Sequence, residues 1–293
     1  MNGKTLSNVH PNDADPASSF ITSPAEVESV RARIVSFIRL AIEDADAGGV
    51  VVPMSGGIDS TLTAALAIEA LGEDRVLGLG LPCHKTESVN AYDARTIAGG
   101  LGMEYREVQL RPLLDCFEDM VAPRLDPMGD RHAIGNVIAR LRMTCAYYVA
   151  NTRGDLVLGT ANRSEHLLGY FTKYGDGGAD LFPIGDLYKT EVGTVAQRIG
   201  LPKRIIGKEP TAGFWAGQTD ADDLGAPYDV LDPILLRAVD RDDPPDRIAA
   251  DVDVDPDTVE ELLERCVASA HKRAVPPKPG IRDRVSPDRP SSE

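Results

Sequence analysis

The chain is short of cysteine, of net positive charge and of long apolar runs, and each shortage removes a class of function. Four cysteines occur in 293 residues, Cys83, Cys116, Cys145 and Cys266. They are widely separated and form no CxxC pair, so neither a zinc site nor a redox pair is indicated, and reduced thiols of a cytoplasmic protein are expected. The polar start, MNGKTLSNVHPNDADPASSF, lacks the apolar centre of a signal peptide, and no later run approaches the roughly 20 apolar residues of a membrane span. A soluble protein with no membrane partner is the expectation. Thirty-one Lys and Arg stand against 46 Asp and Glu, a net charge of −15, which repels a phosphate backbone and argues against nucleic acid as a partner. The excess acid is spread over helix starts and loops, as in AVDRDDPPDRIAADVDVDPDTVEELLE, a distribution suited to salt adaptation.

Apolar residues make up 42% of the chain, enough for a substantial core. Residues 1–22 read as a flexible arm, 23–276 as a single domain and 277–293 as a flexible tail, with no internal repeat. Ser23 followed by Glu26 predicts a capped helix start. Strand-like and helix-like segments then alternate: strand 50–54, helix 60–71, strand 75–82, helix 88–102, strand 104–110, a long helix over 133–150 and a strand over 156–159. The alternation predicts an α/β fold with a parallel sheet, Rossmann-like, with helices on both faces. Segments 161–190 and 207–229 read as loop-rich, 190–200 as a helix, and 229–274 as a small helical closing segment.

The sequence VVVPMSGGIDSTLTAALAIEALG takes a strand through two glycines and two hydroxyls into a helix. Such a turn gathers backbone N–H groups at a positive helix end and binds an anion. It has neither the GxxxxGK[ST] spacing of a Walker A loop nor the GxGxxG dinucleotide fingerprint. Asp59 opposes a phosphate unless a Mg²⁺ ion lies between them. A tight turn with a capped helix is the simpler use of these residues. Further on, GTANRSEHLLGYFTKYGDGGADLFPIGDLYKTE sets isolated charges beside aromatic faces, which suits a ligand with flat rings and phosphates. Glu165, just past a strand end, could complete a metal site with Asp59.

SGGIDS resembles the PP-loop of the ATP pyrophosphatase superfamily. With GNVIARLRM, GYFTKYGDGGADLFPI, KEPTAGFWAGQTDADDLGAPYDVLD and AHKRAVPP, the chain resembles the ammonia-dependent NAD synthetases over most of residues 30–280. The resemblance implies a PP-loop fold and the ATP-dependent amidation of deamido-NAD by ammonia through an adenylated intermediate. By its pattern, Pro53, Met54, Ser55, Gly56, Gly57, Ile58, Asp59 and Ser60 wrap the ATP phosphates, with Thr160, Lys189, Lys208 and Thr211 as further ATP contacts. Asp59 and Glu165 would ligate Mg²⁺. Arg140, Lys173, Asp180, His271 and Lys272 would hold deamido-NAD, and Asp176 would shape the ammonia site. A homodimer is implied, with the helix at 133–150 as an interface element. Phe214 and Trp215 suit a core or a substrate lid equally. The chain departs from relatives at Pro53-Met54 and at Gly80, where an arginine is common. Other PP-loop ligases, GMP synthetase-like or tRNA thiolase-like, are the alternative, although a thiolase would want paired cysteines. A nucleotide-binding regulator need not keep both metal ligands.

Overall fold

The computed structural model describes residues 19–84, 87–126, 128–215 and 217–279. Most of the arm and tail expected at the two ends lies outside these residues. Helix α1, Pro24–Asp44, begins with the capping box foreseen at Ser23 and Glu26: the Ser23 hydroxyl accepts from the Glu26 N–H, and the Glu26 carboxylate accepts from the Ser23 N–H. Strand β1, Val50–Pro53, runs into α2, Ile58–Leu71; β2, Val76–Gly80, is followed by α3, Ser88–Leu101, and β3, Glu104–Glu107. A helical stretch that periodicity did not reveal follows as α4, Arg111–Cys116, a π-turn over Phe117–Val121 and α5, Ala122–Leu125. The long helix α6 spans Arg131–Arg153, and β4 is only Leu156–Val157, shorter than its apolar text suggested.

Among the described residues the four strands are parallel, in the order β3-β2-β1-β4. Alternation along β1 sorts the core. Val50 and Val52 pack with α1, α2 and α3, whereas Val51 packs with Leu77, Leu79 and the α6 residues Ile138, Met143 and Ala146. The expected helices on both faces are therefore present.

After β4 come α7, Arg163–Leu168, α8, Lys189–Arg198, α9, Lys203–Ile206, and α10, Asp220–Leu224. The last lies in a stretch expected to be irregular. The closing segment is helical as foreseen: α11, Tyr228–Leu235, a π-turn to Asp240, α12, Pro245–Val252, α13, Pro256–Ala268, and α14, Ala270–Arg273. It has its own apolar centre, in which Leu231, Ile234, Leu235, Ile248 and Val259 meet Leu168 and Tyr188. Because α7 and α8 feed this second cluster while α8 also packs into the main core, the β4–α8 region is held from two sides.

Candidate active site

The site begins where β1 ends. Gly56 takes φ +74, and a Cβ there would collide with the Asn90 carbonyl, so both the turn and its neighbour demand glycine. The hydroxyls of Ser55 and Ser60 lie 3.1 Å apart, and those of Ser60 and Thr61 donate to the Gly57 carbonyl at 3.2 and 2.7 Å. Gly57 caps α2 without a side-chain bond, leaving the first-turn N–H groups turned to the cleft mouth, where an anion would sit. Lys208 reaches over from the loop after α9, donating to the Gly56 carbonyl and to the buried Asp93 carboxylate, each at 3.0 Å.

Three residues far apart in the chain converge beside this turn. The Lys189 ammonium donates to Asp59 at 2.6 Å and to Glu165 at 3.1 Å. Asp59 Oδ1 also accepts from the Asn162 amide at 2.9 Å, and Asn162 forms a capping box with Glu165. Asp220, 3% exposed, accepts from the Tyr228 hydroxyl with one oxygen, while its Oδ1 is buried without a hydrogen bond. The electrostatics follow from this crowding. Burial raises the Glu165 carboxyl, Lys189 opposes the rise, and Asp59 and Asp220 reinforce it, so that it is pushed up to about 8. Burial alone would lower the Lys189 ammonium, but Asp59 and Glu165 outweigh it and hold the ammonium above its usual range.

These groups line a cleft of about 530 Å³. Pro53, Met54, Ser55, Gly57, Ile58, Asp59, Thr160, Glu165, Lys189, Lys208 and Thr211 all reach it, whereas Gly56 and Ser60 shape the turn from behind. Asp176 also lines the cleft. Burial raises its carboxyl, opposed by the Thr172 N–H that it accepts at 3.0 Å. Lys272 lines the cleft too, with its ammonium on the Gly169 and Phe171 carbonyls. Phe214 and Trp215 form a wall: Phe214 packs on Gly135, and Trp215 meets His132 edge-on with Arg131 over its face.

The remaining residues expected in the site stand elsewhere. Arg140 donates to the Lys173 carbonyl, and the Lys173 ammonium to the His271 carbonyl at 2.7 Å, so the three form one chain of contacts beyond the cleft wall. Arg140 borders a second, open groove with Tyr147, Tyr148 and Tyr174. Both oxygens of Asp180 are engaged by its own fold, accepting the Val157 N–H and the Tyr147 hydroxyl. On α6 it is Arg142 that lines the cleft, pinned to the Leu81 carbonyl and to buried Glu87 at 3.0 and 2.9 Å. Two-residue spacing on a helix turns Arg140 and Arg142 to different faces. Asn162, Asp93 and Asp220 were also missed. Only Asn162 had a signal, the capping pattern NRSE. Gly80 is explained by Tyr105, whose hydroxyl fills the space a side chain there would take.

The donor set fits a magnesium ion. Asp59 supplies one hard carboxylate and Glu165 a second once a cation displaces its proton, and no third His, Cys, Asp or Glu joins them in a metal-holding group among the described residues. Mg²⁺ commonly accepts one or two protein carboxylates and takes its other oxygens from phosphates and water.

Residues 30–276 match the pattern described as NAD synthase. The chain is similar to an NH(3)-dependent NAD(+) synthetase of Pyrococcus horikoshii, 43% identical over 260 residues that cover 89% of this chain and 97% of the relative. Among solved structures it resembles an NH3-dependent NAD synthetase from Campylobacter jejuni, with a TM-score of 0.71, 29% identity and coverage of 86% and 98%. It also resembles an NMN synthetase from Francisella tularensis, with a TM-score of 0.73, 28% identity and coverage of 87% and 99%.

Proposed function

The chain belongs to the NAD synthase family and acts as an ammonia-dependent enzyme of it, and on that premise we propose how its residues divide the work. The reaction joins ATP, deamido-NAD and ammonia to give NAD, AMP and pyrophosphate. The observation that carries the assignment is the Lys189 clamp on Asp59 and Glu165 at the mouth of α2.

In the first half, an oxygen of the nicotinate carboxylate attacks the α phosphorus of ATP, and the bond to the β phosphate breaks. The substrate supplies the nucleophile, so the protein's part is positioning and charge compensation. The turn from Ser55 to Ser60 presents N–H groups to the phosphates, and Lys208, tied to Gly56, adds a cation beside them. Lys189 leaves its carboxylates for the departing pyrophosphate, whose charge it offsets; a donor of this kind contributes about 3 kcal/mol. Asp59 and Glu165 would hold Mg²⁺, which when bound supplies Lewis-acid neutralisation of the phosphate charge. Thr160 and Thr211 line the ATP side of the cleft.

In the second half, ammonia attacks the carbonyl carbon of the mixed anhydride and AMP leaves. Ammonium must first give up a proton, and Asp176 takes it; its place in the cleft lining and its raised proton affinity support this role. Lys272, whose charge is felt by Asp176, holds the Gly169 and Phe171 carbonyls in place. Phe214 and Trp215 shield the adenylate from water. Arg140, Lys173 and His271, joined beside the tyrosine groove, take the dinucleotide at a homodimer contact, and Asp180 orients Tyr147 there.

The chain works in the cytoplasm, and its carboxylate excess keeps the surface hydrated at high salt. Loss of the folded signal on dialysis into low salt is the expected result. Among the described residues no helix is long and apolar enough to cross a membrane.

The assay is NAD formation from ATP, Mg²⁺ and deamido-NAD with ammonium or glutamine as nitrogen donor, run beside the deamido mononucleotide as acceptor. Turnover with ammonium and the dinucleotide is expected. Failure with both nitrogen donors refutes the assignment, and preference for the mononucleotide reassigns the acceptor.

A further inference from the structure

Asp232 is fully buried on α11, in the helical closing segment, with no Lys or Arg partner among the described residues. Its Oδ1 accepts from the Ser164 hydroxyl at 2.6 Å, and its Oδ2 from the Thr190 N–H and hydroxyl at 2.9 and 2.8 Å. The Ser164 oxygen in turn accepts the Lys189 N–H at 2.9 Å. A chain of donors therefore runs from the first residue of α8, through the second residue of α7, to one carboxylate. The next residue on α7 is Glu165, and the side chain at the start of α8 is the Lys189 ammonium.

We propose that Asp232 is a positioning residue for the reacting centre, locking the starts of α7 and α8 together so that Glu165 and Lys189 meet. The inference rests on the roles given above to those two residues. The N–H of Lys189 begins a helix and has no partner within it. Ser164 fills that need only if its own proton points away, and Asp232, an acceptor without donors, dictates that direction. Burial raises the Asp232 carboxyl, and the three donors pull it back. A hydrocarbon or an amide would join three elements at lower desolvation cost. Neither would orient all three donors. Asparagine keeps the shape, but its amide group faces donors with a donor, so one helix start is released.

The test compares Asp232→Asn, Lys189→Ala and the double variant by calorimetric ATP affinity with deamido-NAD omitted, by single-turnover pyrophosphate release and by thermal melting. Second-layer residues of this kind commonly alter affinity or rate by about 10-fold or more. Asp232→Asn is expected to lose about tenfold in release rate and to weaken ATP binding, with a folded baseline at the assay temperature. In the Lys189→Ala background the same change is expected to weaken ATP binding less than twofold further, because it acts through Lys189. An undiminished effect in that background, or wild-type behaviour of Asp232→Asn, overturns the proposal. If Lys189→Ala itself changes neither ATP affinity nor release, the reading of Lys189 fails and the proposal falls with it. Should Asp232→Asn not fold, Ser164→Ala, which removes the middle of the same chain, carries the cycle with the same expectations.

Discussion

Asp59→Asn changes one charge and almost no volume at the point where the shortest contact of the reacting cluster is made. Both oxygens of Asp59 are in use, Oδ2 with the Lys189 ammonium at 2.6 Å and Oδ1 with the Asn162 amide at 2.9 Å. Asparagine offers one acceptor, and its amide group must face either an ammonium or another amide. A hydrogen bond to a charged group contributes about 1.5–3 kcal/mol, which bounds the stability loss. The loss falls at the low end because Lys189 keeps Glu165 at 3.1 Å. With the Asp59 charge gone, the Glu165 carboxyl moves down from about 8 and takes over as the partner of Lys189. The fold therefore survives. Catalysis does not, since a charged group at the phosphates is lost, and removal of one such transition-state contact costs about 10²–10³ in rate. The assay is single-turnover pyrophosphate release from ATP and deamido-NAD without ammonium, which isolates the first half-reaction, alongside thermal melting by circular dichroism. Release within about tenfold of wild type by a folded Asp59→Asn enzyme would refute the role of the clamp.

Gly56→Ala puts a methyl group into the Asn90 carbonyl at a positive φ; ATP binding should weaken at least tenfold and stability should fall by about 1 kcal/mol or more, measured by calorimetry and melting. Arg142→Ala should raise the KM for ATP, because Arg142 lines the cleft, whereas Arg140→Ala should leave ATP affinity unchanged and raise the KM for deamido-NAD. In metal-free protein, Glu165 keeps its proton up to about pH 8 while the unfolded chain releases it near 4.5. Its contribution to stability is therefore intact below pH 4.5 and declines up to about pH 8, by at most about 1.4 kcal/mol per pH unit. The difference in melting temperature between wild type and Glu165→Gln should shift across that window and level off above it. A pH-independent difference would show that Glu165 is ionised throughout.

Local chemistry was legible in the text because its signals are short-range. Ser23 and Glu26 announced a helix start, the apolar block before Ser55 announced a buried strand, and the paired glycines announced a turn that gathers N–H groups. Each depends on backbone geometry within a few residues, which residue type and spacing control directly. The family motifs added the ligand because each one is contiguous. The stretch from Arg111 to Leu125 carries no helical signal in its spacing, because only Leu114 is buried while Leu113, Met120 and Leu125 are exposed, so no apolar face repeats.

Contacts between distant residues belong to the tertiary structure. Asp59 and Lys189 are 130 positions apart, and nothing in either neighbourhood requires them to touch. They meet because β1 and β4 lie side by side and α8 packs on α2. The same packing turned Arg142 rather than Arg140 toward the cleft and left a buried oxygen of Asp220 without a hydrogen bond beside the clamp. It also placed Asp232, the last residue of the KEPTAGFWAGQTDADDLGAPYDVLD motif, at the junction of α7 and α8. Type and spacing determined which groups the chain could bring to phosphates. Burial and the order of the strands decided which of them share a low-dielectric space, where a charge is held by its partner or gives up its ionisation.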